Sequence, residues 1–407
     1  MKKIGLLPQI LIAFVAAIIA GIVFGSSISV VEPLGTLFLR LIQFIIVPLI
    51  LSSLVVGVAS TGSMKTLGRI GGKTIVYYLV TTLIAVSIGL LAGSLFSPGT
   101  GVDISSAGEA PEAKDTGGIV DILLNIIPTN PIESLSSGNI LQIIFFALFL
   151  GVGITMVGEK ADPVYRFFDG LAEIMYKITW VIMKLIPIGI FGLLAPIIGE
   201  YGLSVLLPLI KLVTVVAIAC IVHAVFTYSI AVKTLGKMSP LKFFKGIAPA
   251  TLVAFSTQSS SGTLPVTIQS AEDNLGVSKR ISSFVLPLGA TINMDGTSLY
   301  LGVATLFTAQ AYGVELSFSQ LLLVVLIATL GSIGTAGVPG AGLVMLMLVL
   351  TTLNLPLEAI ALIAGVDRFM DMFRTATNVT GDATGAVVID RSETKQDSGT
   401  NANKATG

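Results

Sequence analysis

Nearly uncharged apolar windows of about 20 residues recur along this 407-residue chain, and that length matches the hydrocarbon core of a bilayer. They fall at residues 6–24, 38–58, 74–96, 140–157, 178–198 and 203–232. Backbone amides in hydrocarbon must be bonded within their own segment, so each window reads as a helix. With 54% hydrophobic and 11% charged residues, no soluble domain accounts for the pattern, and the chain reads as an all-α polytopic membrane protein.

Basic residues set its orientation. Lys2 and Lys3 precede the first window, Lys65, Arg69 and Lys73 separate the second from the third, and Lys160 and Arg166 follow the fourth. Lys233, Lys237, Lys242 and Lys245 follow the sixth. These stretches mark the cytoplasmic side. The loops at 26–33 and 98–118 hold one Lys, Lys114, and are otherwise acidic, as expected outside. Both termini are expected in the cytoplasm of a plasma-membrane protein. The first window is too long for a cleaved signal's apolar region and lacks a small-x-small cleavage site. The polar stretch 391–407 reads as a disordered tail.

A formal net charge of zero leaves no basic face for nucleic acid. The single cysteine, Cys220, excludes an internal disulfide. His223 shares a helix face with Cys220, but two ligands without carboxylates beside them make a poor metal site. Trp180 reads as an interface anchor or packing residue.

Two later hydrophobic segments are interrupted. One is "LVAFSTQSSSGTLPVTI" at 252–268; the other runs from 321 to 350 through "GSIGTAGVPGAG" at 331–342. Irregular backbone at membrane depth survives only where it is buried in protein or lines a cavity, so each interruption predicts the tip of a re-entrant helical hairpin. Close packing of small residues would explain glycine alone, not Pro265, Pro339 or three consecutive serines. Ser261 lies 34 residues before Asp295 of "NMDGT", and Thr335 lies 36 before Asp371 of "DRFMDMFRTATNVTGD". Such a repeated pair of broken segments points to a transporter site between inverted repeats. Neither carries the Gly-Lys-Ser/Thr ending of a phosphate loop.

On a helix, Asp367, Asp371, Arg374, Thr375, Asn378 and Asp382 fall within an arc of about 100°. A charge at mid-membrane costs about 2.5–3.5 kcal/mol even on the mildest scale, so this stripe must face partners. Three carboxylates against one arginine leave a deficit that small cations, Na+ or H3O+, can fill. Arg374 offers a carboxylate fork and the hairpin tips offer helix N-termini, so the substrate should carry one carboxylate and preferably two. A channel could also use a polar stripe, but it would conduct without accumulating substrate. A serine hydrolase at Ser259–Ser261 has no histidine within its segment and no Gly-x-Ser-x-Gly elbow.

In order, "SSSGTLP", "NMDGT", "GSIGTAGVPGAG" and "DRFMDMFRTATNVTGD" resemble the dicarboxylate/amino acid:cation symporter family, notably its archaeal Na+-coupled aspartate transporters. "YYLVTT" at 77–82 and residues 125–155 extend the likeness across nearly the whole chain. The resemblance implies eight transmembrane helices, two re-entrant hairpins with inverted repeats, a homotrimer, and an elevator-type transport domain sliding on a scaffold. Residues 1–70 and 118–202 would form the scaffold. The stretch 71–117 would supply a transport-domain helix and an outer loop, and 203–390 the rest of that domain.

Carried over, the substrate's main carboxylate would meet the Ser260 backbone and Asn378. Its ammonium would meet Asp371, Thr375 and the carbonyls of Gln258 and Val338. Arg374, Thr297 and the Gly342 amide would take the side-chain carboxylate. Three Na+ ions are implied. One uses Asp382 with backbone of Gly289, Asn293 and Asn378; another uses Asp295, Asn293, Thr81, Thr82 and the Tyr78 carbonyl. The third uses backbone at Thr291, Ser332, Ile333 and Thr335. Glycines at 334, 337, 340 and 342 would let the outer hairpin close, so Gly337→Val or Gly340→Val should block closure.

Relatives that carry C4-dicarboxylates tend to have a small residue at the place of Asp371, so a retained Asp371 implies aspartate or glutamate. Gln258 and Met372 stand where family members carry arginine, which leaves Asp371 without that guanidinium neighbour. Leu301 replaces the glutamate associated with K+ antiport. Intact ion ligands favour Na+ over H+.

Overall fold

The computed structural model describes residues 6–59, 67–101, 124, 127–332 and 340–405. Every regular element among them is helical. In chain order the α-helices are α1 (Leu6–Phe24), α2 (Glu32–Ala59), α3 (Leu67–Phe96), α4 (Pro131–Ser137), α5 (Ile140–Val157), α6 (Asp162–Met183), α7 (Ile186–Tyr201) and α8 (Leu206–His223). Then come α9 (Ser229–Thr234), α10 (Pro240–Thr257), α11 (Ser260–Gln269), α12 (Lys279–Ile292), α13 (Asp295–Ala311), α14 (Phe318–Ser332), α15 (Ala341–Thr352) and α16 (Ala359–Ala405). Among the described residues the stretches Ile12–Phe38, Arg69–Phe96, Gln142–Ile182 and Leu206–Thr234 are long and apolar enough to cross a membrane by length and composition. Phe44–Ala59, Ile186–Glu200, Phe318–Ser332 and Ala341–Thr352 are apolar but shorter.

The first apolar window is α1 itself, but the window at 178–198 is not one helix. It breaks between Met183 and Ile186, and Pro187 sits in the first turn of α7. Proline has no N–H to donate and disfavours helix in the residue before it, a restriction that hydropathy does not register. Nor does helix end at residue 390. The helix α16 continues to Ala405, and Glu393 is buried against Arg69 and Lys73 at the start of α3. Two cations waiting on another element hold the start of the expected tail.

Packing divides the helices into two groups. α1 lies on α7, while α2 touches α5, α6 and α7. Around α16 gather α8 and α10 to α13, and α3 lies along α13. The groups meet chiefly where α7 touches α16. At the α3–α13 crossing backbone meets backbone: a Cβ on Gly89 would collide with the Leu299 carbonyl, and one on Gly302 would come 2.7 Å from the Leu90 amide nitrogen. Without a solvent-driven force between apolar helices in lipid, this close approach is what holds them.

Two helix pairs of the second group are broken, and a third pair, α14 and α15, flanks residues outside the described ones. Between α10 and α11, Gln258 adopts a left-handed conformation (φ 56°, ψ 33°) and Ser259 is extended. The Ser259 hydroxyl then caps α11 by accepting from Gly262 N at 3.0 Å. Between α12 and α13 only Asn293 and Met294 leave helical geometry. Between α14 and α15 the described chain resumes at Gly340, whose φ of 89° suits glycine. Gly334, Gly337 and Pro339 lie outside the described residues.

Candidate substrate and cation site

The stripe on α16 is buried throughout: Asp367, Asp371, Arg374, Thr375, Asn378 and Asp382 all lie inside the surrounding helices. Arg374, wholly enclosed, donates from Nη1 to Asp367 Oδ1 at 2.7 Å and from Nε to Asp371 Oδ1 at 3.3 Å. Its Nη2 also approaches Asp371 Oδ1 at 2.9 Å, but off the line a hydrogen bond requires. Nη2 and Asp371 Oδ2 therefore both remain without a hydrogen-bond partner. A buried polar atom left in that state costs about 1–3 kcal/mol, more when charged. The pair is thus open on one side to a ligand that can donate to the carboxylate and accept from the guanidinium.

Neighbouring helices fix the fork. Arg374 Cζ stands 4.2 Å over the Tyr300 ring of α13, a cation–π contact that orients its plane. Opposite, a Cβ on Gly342 would lie 2.8 Å from Cζ, so only glycine lets the start of α15 rest on the guanidinium. Thr375 Oγ1 reaches Asp371 Oδ1 at 3.4 Å. Ser260 and Thr297 are buried at the starts of α11 and α13.

The guanidinium beside Asp371 is that of Arg374, and Gln258 has a guanidinium neighbour of its own. Arg368 Nη1 donates to its Oε1 at 2.9 Å, and its Nε2 donates to the Arg368 carbonyl at 3.1 Å. Asn378 is drawn toward the α12–α13 break: Oδ1 accepts from Gly296 N at 2.8 Å, and Nδ2 lies 3.3 Å from Met294 Sδ. A thioether is a weak acceptor, so that donor keeps capacity for a stronger one.

The remaining carboxylates gather oxygen. Asp295 Oδ1 accepts from Thr82 at 2.8 Å and Thr81 at 3.3 Å. Asn293 Nδ2 bridges Asp382 Oδ1 (2.9 Å) and the Asn378 carbonyl (3.1 Å). Its Oδ1, buried, has no hydrogen-bond partner. A Cβ on Gly289 would come 2.8 Å from Asp382 Oδ1, and Tyr78 Oη lies 3.2 Å from the Asp382 carbonyl. Two carboxylates, an orphaned amide oxygen and non-helical backbone make a hard-oxygen environment suited to a small cation. Of the backbone set expected for a third ion, Thr291 and Ser332 are described, their hydroxyls bonded to the Leu288 and Thr329 carbonyls at 2.9 and 2.8 Å. Ile333, Thr335 and the substrate candidate Val338 lie outside the described residues.

Asp367, Arg368, Tyr300, His223 and Tyr228 are neighbours that sequence reasoning left out of the site. Asp367 lay on the stripe and could have been assigned. His223, weighed with Cys220 as a poor metal pair, instead lies 3.3 Å from Asp295 Oδ2.

Interrupted membrane helices that enclose carboxylates, a guanidinium and unwound backbone define a carrier rather than an enzyme. The chain belongs to the sodium:dicarboxylate symporter family, whose family model matches residues 6–392. It is 41% identical over 404 residues to a proton/sodium-glutamate symport protein of Geobacillus stearothermophilus, covering 97% of this chain and 96% of that protein. It is 37% identical to a proton/glutamate-aspartate symporter of Escherichia coli (97% and 94% covered) and 35% identical to a C4-dicarboxylate transport protein of Bacillus subtilis (96% and 94%).

Proposed function

We propose that this protein is a secondary active symporter that couples inward Na+ movement to uptake of an acidic amino acid, L-aspartate or L-glutamate. The observation that carries this reading is the unpartnered pair at the buried stripe, Asp371 Oδ2 beside Arg374 Nη2. An α-ammonium donates to the first while a side-chain carboxylate accepts from the second. A C4-dicarboxylate would press a second carboxylate against Asp371, a like-charge contact in a dry site. Relatives named for glutamate and aspartate transport support the same choice.

In this reading Thr297 and the Gly342 amide help Arg374 hold the side-chain carboxylate. Thr375 and the carbonyls of Gln258 and Val338 join Asp371 at the ammonium, and the Ser260 amide with Asn378 takes the main carboxylate. Arg374 gives up part of its bond to Asp371 as the ligand enters. Na+ occupies the oxygen sets at Asp382 with Gly289, Asn293 and Asn378, and at Asp295 with Asn293, Thr81, Thr82 and Tyr78. A third ion waits on backbone at Thr291, Ser332, Ile333 and Thr335. The two packing groups support a mobile domain (α3 and the helices around α16) on a scaffold (α1, α2 and α5 to α7). Eight spans, two re-entrant hairpins, a homotrimer in the plasma membrane and cytoplasmic termini complete the arrangement.

Radiolabelled L-aspartate uptake into proteoliposomes decides the matter. Accumulation driven by a Na+ gradient, weakly inhibited by succinate, is expected. Accumulation driven by H+ alone, or succinate uptake exceeding aspartate uptake, would replace this reading with a proton-coupled or dicarboxylate carrier. Equilibration without accumulation would mark a channel.

A further inference from the structure

Asp295 is fully buried, and its oxygens are served from different elements. The threonines of α3 reach Oδ1, whereas Oδ2 accepts from Tyr228 Oη at 2.8 Å and faces His223 Nε2 at 3.3 Å. A carboxylate can only accept, so Nε2 carries the hydrogen, which leaves Nδ1 as acceptor for Thr227 Oγ1 at 3.2 Å. The Tyr228 ring stands edge-on to the imidazole, centroids 4.8 Å apart, and its hydroxyl also lies 3.1 Å from the Thr377 carbonyl of α16. Each member of this group is held by another.

The backbone is shaped for it. In a regular α-helix residues five apart project about 140° from each other, so residues 223 and 228 could not meet at one oxygen. Between α8 and α9, however, Ala224–Tyr228 forms a π-helical turn. A π turn closes on the fifth residue rather than the fourth, and so brings Tyr228 round to the face of His223. Such turns are rare and tend to sit where function needs a displaced side chain. Here the displaced side chain ends on Asp295.

We infer that His223 and Tyr228 are positioning residues of the Asp295 cation site. They tether Oδ2 before an ion arrives, so that Oδ1 faces Thr81 and Thr82 in a preset orientation and little ordering remains for binding. The inference rests on the proposed role of Asp295 as a Na+ ligand, and the tests of the two must come apart.

Na+ binding can be read without any amino acid, as the rise in thermal-unfolding midpoint of the purified full-length protein titrated with NaCl against choline chloride. Tyr228→Phe keeps the ring and removes one donor; His223→Leu removes the other. Each should raise half-saturating Na+ about tenfold, the lower end of what losing a second partner costs a metal-binding carboxylate. His223→Gln, which presents an amide donor at similar reach, should recover most of that loss. L-Aspartate affinity at saturating Na+ should stay within about twofold of the parent.

If Asp295→Asn weakens Na+ stabilisation while Tyr228→Phe and His223→Leu leave it unchanged, the positioning role is overturned and the cation site stands. If Asp295→Asn changes nothing, the cation site falls and the inference with it. A uniform loss of aspartate affinity at every Na+ concentration, with Na+ stabilisation intact, would show a packing role only and also overturn it.

Discussion

In the proposed reading Asp371 is the residue that distinguishes an amino-acid carrier from a dicarboxylate carrier within one pocket. Among the described residues its Oδ2 is the only buried carboxylate oxygen without a hydrogen-bond partner, beside a guanidinium nitrogen in the same state. Asp371→Ser removes the ammonium's counter-charge and the repulsion against a second carboxylate together. L-Aspartate uptake should fall about a hundredfold, near the 3 kcal/mol that a charged hydrogen bond reaches, while succinate becomes the stronger competitor. Unchanged preference in a competition assay would place the ammonium elsewhere. Arg368 acts one step removed, by bonding Gln258 where the chain turns left-handed. Arg368→Ala should raise half-saturating aspartate about fivefold, the worth of one ordinary hydrogen bond, with maximal uptake little changed. The stripe itself was legible from helical periodicity. Arg368 was not, because it sits about 100° round from Asp367, just past the edge of the arc that Thr375 closes.

Among elements, long helices announced themselves through length and hydropathy, and the break at Gln258 and Ser259 through the consecutive serines and Pro265 beside it. Subtler joints did not. Pro187 divides one apolar window without altering its hydropathy, and the π turn at Ala224–Tyr228 has no composition of its own. Glu393 shows how contacts between elements rewrite a local reading: a polar stretch looks unstructured until Arg69 and Lys73 bond to its carboxylate. Burial pushes that carboxyl toward the neutral form, but hydrogen bonds and charge from Lys73 and Arg69 outweigh it and hold the group below the usual glutamate range. A lowered folded-state value adds stability that is complete above the unfolded value, about 4.3, and disappears as pH falls through the folded one. Thermal midpoints in detergent should therefore drop below about pH 4.3, and Glu393→Gln should be less stable at neutral pH and lack part of that drop. Parallel pH profiles for both proteins would remove Glu393 from the clasp between α3 and α16.

For the whole molecule the decisive quantity is charge moved per cycle. Formal net charge is zero, so no overall field drives the carrier; what crosses the membrane is set by the local balance around α16. Asp382 and Asp295 sit on oxygen-rich sets, and Asn293 Oδ1 has no hydrogen-bond partner between those functions. Three Na+ with one net-negative amino acid would carry two positive charges inward, worth about 4.6 kcal/mol at 100 mV, or roughly three decades of accumulation. Clamping proteoliposomes with K+ and valinomycin at 100 mV, inside negative, should then raise steady-state aspartate by about that factor over zero potential, at equal Na+ on both sides. A rise of only about fiftyfold would mean one net charge and two ions, and no rise would mean one ion per substrate. In the proposed reading the same measurement counts occupied oxygen sets, because each Na+ held beside Asp295, Asp382 or the backbone of Thr291 and Ser332 would add one charge to the cycle.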